Sequence, residues 1–243
     1  MTGTFINAAA ILVLLALFSL FPKLQMSPRL ERILKNLIGA FTFFTGIKLM
    51  IKLFDPGFQQ GLGFILIAVV SLIIGNIIGK ILKVQEFSNR LGQFALRSLM
   101  RARNGERISF NDRLAACVVS YCLNPIGITG ALLEGVTSNF YILIVKSAMD
   151  GFSAPGFAKV FGILPIALST LPLIAWQGFI SLASMYAVKS GFFSNPTVDY
   201  SIDGVCALLC FIFVLPILEI KKVNLANYLP SLIIAPFIAR LFL

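Results

Sequence analysis

Lys146-Ser-Ala-Met-Asp150-Gly151 places a cation and an anion inside an apolar run from about Phe140 to Phe161. An ionisable side chain at bilayer depth costs at least ~2.5–3.5 kcal/mol on insertion scales, so it should face the protein interior and have a partner. A spacing of four puts both groups on one helical face, one turn apart. Gly151, Pro155 and Gly156 follow directly, which predicts a helix able to bend or unwind where the charges sit. Lys48, on an earlier apolar segment, falls at a depth similar to that of Lys146, each ~9–10 Å inward at 1.5 Å per residue. One aspartate flanked by two lysines leaves a surplus of positive charge. The expected site is therefore an enclosed polar chamber for an anion or carboxylate-bearing solute, with Asp150 setting lysine protonation. A buried lysine loses its proton more readily, which suits proton coupling. The structural alternative is that the pair merely neutralises itself.

Asn7, Asn76, Asn124, Gln177 and Asn227 lie in other apolar segments and could line the same site. Each alone is more often an interhelical hydrogen bond. The chain has no histidine, and Cys117, Cys122, Cys206 and Cys210 sit within apolar segments without metal-ligand clustering. The expectation is no metal, no cofactor and no catalytic residue, with the cysteines acting as small packing residues. A membrane-embedded enzyme acting on lipid would need a nucleophile, a second carboxylate or a metal. Only Asp150 offers itself, so catalysis is the weaker reading. A non-catalytic membrane scaffold is the other alternative to a secondary transporter or channel.

The 243 residues are 58% hydrophobic and 12% charged, where soluble proteins carry about a quarter charged. Apolar runs near 20 residues that do not alternate predict an all-α, polytopic membrane protein rather than a barrel. The net charge of +10 is concentrated in short connections, the positive-inside pattern, with anionic headgroups as its counterpart and no nucleic acid partner. The arginines of residues 83–113 lack the aromatic platform that would stack bases. A homo-oligomer is compatible with this reading. The first apolar run lacks a basic leader and a small-residue cleavage site, so it is expected to be the first span.

About eight spans are expected: Thr4–Phe21, Leu37–Phe54, Leu62–Leu82, Leu114–Leu133 broken at Asn124-Pro125, Phe140–Phe161, Pro165–Val188, Gly204–Leu218 and Leu225–Leu241. Two interfacial amphipathic helices join them. The first is capped by Ser27 and begun by Pro28, with Leu30, Ile33, Leu34 and Leu37 opposite Arg29, Arg32 and Lys35. The second sets Phe87, Leu91 and Phe94 opposite Arg90, Arg97 and Arg101. The resulting charge bias puts both termini outside the cytoplasm. Arg29-Leu30 and Arg90-Leu91, each following an apolar run, suggest an internal repeat, with units 4–54 and 62–134 and a second half 139–243 in one transmembrane domain.

Gly3-Thr4-x-x-Asn7, Gly46-Ile47-Lys48, Lys146-x-x-x-Asp150-Gly151, Gln177-Gly178 and Lys222-Val-Asn-Leu-Ala-Asn227-Tyr-Leu229-Pro230 occur in order along nearly the whole chain. This succession resembles the domain of unknown function 554 family, the YqgA/YdfK-like bacterial membrane proteins. Two departures are Cys122-Leu-Asn-Pro125, where a glycine usually follows the cysteine, and a bulkier first span. The resemblance implies a multi-pass protein of the bacterial cytoplasmic membrane, often guessed to be a transporter, with no established chemistry. Asn7, Lys48, Lys146, Asp150, Gln177 and Asn227 are the polar positions that match.

Overall fold

A computed structural model describes residues 1–21, 28–190 and 196–242. Its helices are α1 Thr2–Leu20, α2 Pro28–Lys52, α3 Phe58–Ile81, α4 Val84–Arg103, α5 Phe110–Cys122, α6 Pro125–Thr137, α7 Tyr141–Phe161, α8 Ile163–Lys189, α9 Pro196–Ile217 and α10 Ser231–Phe242. A 3-10 turn, Leu225–Tyr228, precedes α10. The protein is an all-α, multi-pass membrane protein. Its outer surface fits this: Phe5, Leu17, Phe44, Ile51, Leu66, Ile73, Leu171 and Phe179 are exposed, an apolar coat suited to lipid.

Among the described residues, α1, α2, α3, α8 and α9 are each long and apolar enough to cross a bilayer, and α5 with α6 makes a sixth if that pair is one span bent by 55°. The bend comes from local chemistry. Pro125 lacks the donor needed to continue α5 and starts α6 instead, while the Asn124 side chain accepts from Ile126 N–H at 3.0 Å as its cap. α7 is 21 residues long, about 31 Å, but its charges and small residues lower its hydropathy. The segment expected as an eighth span is a 3-10 turn followed by 12 helical residues, about 18 Å, too short to cross alone.

Two further expectations change. The first surface helix is not separate: Pro28 opens a helix that runs unbroken into the second span. The Ser27 cap lies outside the described residues. Second, α7 neither unwinds nor breaks at Gly151 or Pro155, and α8 continues through Pro172. Gly151 instead lets α1 approach closely, since a Cβ there would lie 2.8 Å from Leu14 Cδ1 and 3.2 Å from the Ala10 carbonyl. The second surface helix is present as α4, a separate amphipathic helix.

The helices form two layers that share a seam. In one, α1 packs along α7, and α8 along both α5 and α6; in the other, α2 packs along α9, which also meets α3 and α10. Two apolar cores run through the bundle: Ile11, Cys117, Tyr121, Phe161 and Leu173 in the first, and Leu49, Leu72, Cys206, Cys210 and Phe213 in the second, which also takes in Ile126, Leu133 and Ile142 of α6 and α7. Contacts at the helix ends show which ends lie together. The start of α1 meets the end of α6 through Glu134, and the end of α2 meets the start of α9 through Lys52 and Asp203 at 2.7 Å. On the opposite face, Lys35 joins Glu219 at 2.7 Å, and that hydrogen bond holds the exposed Glu219 carboxyl below its ordinary range.

Candidate functional site

The Lys146 ammonium binds both carboxylate oxygens of Asp150, as the one-turn spacing on α7 requires. Both residues are enclosed, Lys146 at 0% and Asp150 at 5% exposure. The expected chamber is therefore not an open void around them. What encloses them comes from four other helices. Asn7 of α1 donates from Nδ2 to Asp150 Oδ2 at 3.2 Å and to Gln177 Oε1 of α8 at 3.4 Å. Gly127 of α6 leaves room beside them, because a Cβ there would lie 3.1 Å from Gln177 Nε2 and 3.2 Å from Lys146 Cε. The Tyr121 ring of α5 lies 6.0 Å from Lys146 Nζ.

This arrangement satisfies the charges but not the amides. Asn7 Oδ1 and Gln177 Nε2 are buried without a partner. Turning both amides over would restore one contact between them, yet would set Asn7 Oδ1 against the Asp150 carboxylate and still leave one donor and one acceptor unmatched. An unmatched buried polar atom costs about 1–3 kcal/mol, so the site holds polar capacity that its own fold does not use. Chemically it can exchange partners: the carboxylate can take a proton or a cationic group, the ammonium an anionic one, and the amides either kind of hydrogen bond.

The other candidate residues lie elsewhere. Lys48, on the exposed flank of α2, donates to the Tyr141 hydroxyl at 2.6 Å and stands 4.0 Å over that ring. It makes no ion pair with Asp150, so the expected surplus of positive charge is absent. Tyr141 is the first residue of α7, so Lys48 meets that helix five residues short of Lys146. Asn227 accepts from Gln85 N–H at 3.0 Å, and Gln85 Oε1 accepts from Ala226 N–H at 3.0 Å, a lock at the junction of α3 and α4. Asn124 caps α6. It also lines a cleft of about 400 Å3 between α4 and the elbow, together with Ser88, Gly92, Ser120, Pro125 and Phe157. Phe157 meets Tyr121 edge to face at 5.9 Å, so this aromatic pair stands between the cleft and Lys146.

Glu134 stands outside the candidate residues read from the sequence. In the structure it is 5% exposed, and its Oε1 accepts from Gly3 N–H at 2.7 Å and lies 3.2 Å from the Met1 amino group. The available signal was its setting, Ala131-Leu-Leu-Glu134-Gly-Val136, an acid inside an uninterrupted apolar run.

A polytopic helical membrane protein with an ion pair enclosed at the meeting of several helices is the class that these features define. The chain belongs to the family described as a protein of unknown function, DUF554, whose model matches residues 2–240. It is 27% identical over 234 residues to "Uncharacterized protein YqgA" of Escherichia coli (strain K12), covering 96% of this chain and 94% of that one. It is 28% identical over 171 residues to "Uncharacterized membrane protein YdfK" of Bacillus subtilis (strain 168), covering 70% of this chain and 68% of that one. No solved structure matches the chain.

Proposed function

We propose that this protein is a secondary transporter or channel for a small solute or ion, with Lys146 and Asp150 as its working pair and Asn7 and Gln177 as the polar groups that exchange with it. The observation that supports this most is the pair of unmatched amide atoms beside a fully enclosed ion pair. A purely structural network would be expected to satisfy its own donors and acceptors. The cleft at the α5–α6 elbow supplies an approach from the face opposite the start of α1, with Tyr121 and Phe157 as the barrier across it. With Lys48 bound to Tyr141, the pair is neutral, and the preference for an anionic solute no longer has its basis. A discontinuous helix beside a charged centre near mid-depth is the arrangement that transporters use for alternating access.

In this reading the protein sits in the bacterial cytoplasmic membrane with the start of α1 outside; the short α10 leaves the C-terminus without the crossing that would put it outside too. Arg90, Arg97 and Arg101 of α4 lie against anionic headgroups on the inner face. Asp150→Asn, reconstituted in vesicles, is expected to lose flux while keeping its helical content and detergent-solubilised yield. Unchanged flux would return the pair to a structural role. A reporter that works only outside the cytoplasm, fused ahead of Met1, is expected to be active; activity of a cytoplasmic reporter there instead would reverse the orientation.

A further inference from the structure

Buried polar atoms that do not bond to one another are spaced in a row from the start of α1 to the ion pair. At its outer end Glu134 Oε1 is held by two donors while Oε2 has no partner. Thr4 follows on the buried face of α1, 0% exposed, with its hydroxyl also unpartnered. Asn7 lies one turn further along the same face, about 4.5 Å of rise from Thr4, and touches both Asp150 and Gln177. On the facing helix α8, Ser181 is buried one turn from Gln177 and lies against Gly135, the neighbour of Glu134. Gly178 makes room at the same level, since a Cβ there would lie 2.6 Å from Met1 Cε. No residue of this row is charged except Glu134 and, at its inner end, the pair itself.

We propose that Glu134 is the proton-loading carboxylate of this protein, passing a proton through the Thr4 hydroxyl and intervening water to Asp150, with Asn7 and Gln177 as hydrogen-bonding walls that carry no proton. The inference rests on the reading of Asp150 as the working residue and adds the ion that drives it. A proton from the water at the α1 end bonds to Glu134 Oε2 and passes to intervening water; the Thr4 hydroxyl accepts a proton on its oxygen as it releases its own, and a proton bonds to an Asp150 oxygen. That neutralises the carboxylate and releases Lys146. Loss of the same proton to the opposite face closes the ion pair again. Oε1 keeps the Gly3 N–H in both states, so loading does not undo the docking of α1.

Other titratable groups are few around Glu134. α1 brings the Met1 amino group, α7 brings Lys146 and Asp150 with Tyr141 at its start, and α9 brings Asp199 and Asp203, the latter bound by Lys52. α5 carries Cys117, Tyr121 and Cys122 facing inward and Asp112 and Arg113 at its far end. α8 carries none from Ile163 to Met185, with Tyr186 and Lys189 beyond.

The test uses full-length protein in vesicles holding a pH-sensitive dye, with a potassium diffusion potential to draw protons inward. The wild type should acidify the lumen. Glu134→Gln keeps an acceptor for Gly3 N–H but cannot load a proton, and should reduce uptake by about a hundredfold, the scale of losing one proton-transfer group. Glu134→Asp should restore part of the flux with a displaced pH profile, which a docking role alone would not produce. Should Glu134→Gln fail to fold, Thr4→Val interrupts the row without changing side-chain shape, and a large drop in uptake is expected. Flux lost in Asp150→Asn but unchanged in a folded Glu134→Gln, or in Thr4→Val, overturns the Glu134 route alone. A wild type that moves no protons overturns the route together with proton coupling at Asp150.

Discussion

Replacing Lys146 by methionine keeps the length of the side chain and removes its charge, leaving Asp150 at 5% exposure with one neutral donor, Asn7 Nδ2 at 3.2 Å. Removing one member of a buried ion pair costs about 3–5 kcal/mol, because the other charge is left without compensation. Replacing both members by apolar groups of similar volume is often neutral or stabilising. Lys146→Met should therefore be destabilised by about 3–5 kcal/mol relative to wild type, and Lys146→Met with Asp150→Leu should recover most of that loss. Unfolding by a denaturing detergent in mixed micelles, followed by helical circular dichroism, measures the stabilities; vesicle flux measures the function. The recovered double variant should be well folded and inactive, which separates the role of the pair in folding from its role in transport. A single variant as stable as wild type would refute the enclosure of the pair. A double variant that still transports would refute its function.

Two further outcomes test the packing. A Cβ on Gly79 of α3 would overlap the Asn227 carbonyl, and one on Gly75 would lie 2.6 Å from Ser231 N, so backbone rather than a flexible side chain fills the space. Gly79→Ala should cost about 1–3 kcal/mol by overpacking. Gly63→Ala, in the same helix but facing open space, should gain about 0.5–1 kcal/mol from helix propensity. Both are read in the same unfolding assay. Asn227→Ala removes the acceptor for Gln85 N–H and should lower stability by about 1–3 kcal/mol, with flux per folded molecule unchanged. A specific loss of flux in that variant would bring Asn227 back among the functional groups.

Much of the candidate site was legible because membrane helices expose their logic in one dimension. Charges four apart in an apolar run had to share a face and find cover, and Lys146 and Asp150 do. Asn7 and Gln177 were legible as polar groups on other spans, and they are the two that reach the pair. Lys48 was misplaced because residue counting gives only a coarse depth and no direction. α2 packs along α9, in the layer opposite α1 and α8. Gly151 and Pro155 signalled a weakened helix, yet α7 stays helical through both, and Gly151 serves the close approach of Ala10 and Leu14, a tertiary contact that local sequence does not carry. The unbroken run of α2 has a related origin. Its charged first turns and apolar later turns read as separate pieces, but nothing between Pro28 and Lys52 interrupts the backbone ladder. Glu134 stayed hidden because its partner is the backbone of the first turn of α1, and no side-chain pattern announces a backbone donor.

The elbow between α5 and α6 has a mechanical side. Beyond the hinge at Asn124, α6 is a rigid arm of 13 residues, roughly 20 Å long, and its far end carries Glu134. Flexing that joint by about 10° would sweep the arm's tip through roughly 3 Å, farther than the Gly3 contact can stretch and still hold. The first span would have to slide with the arm or let go of it, so a small rotation at one end of this crooked strut becomes a choice at the other.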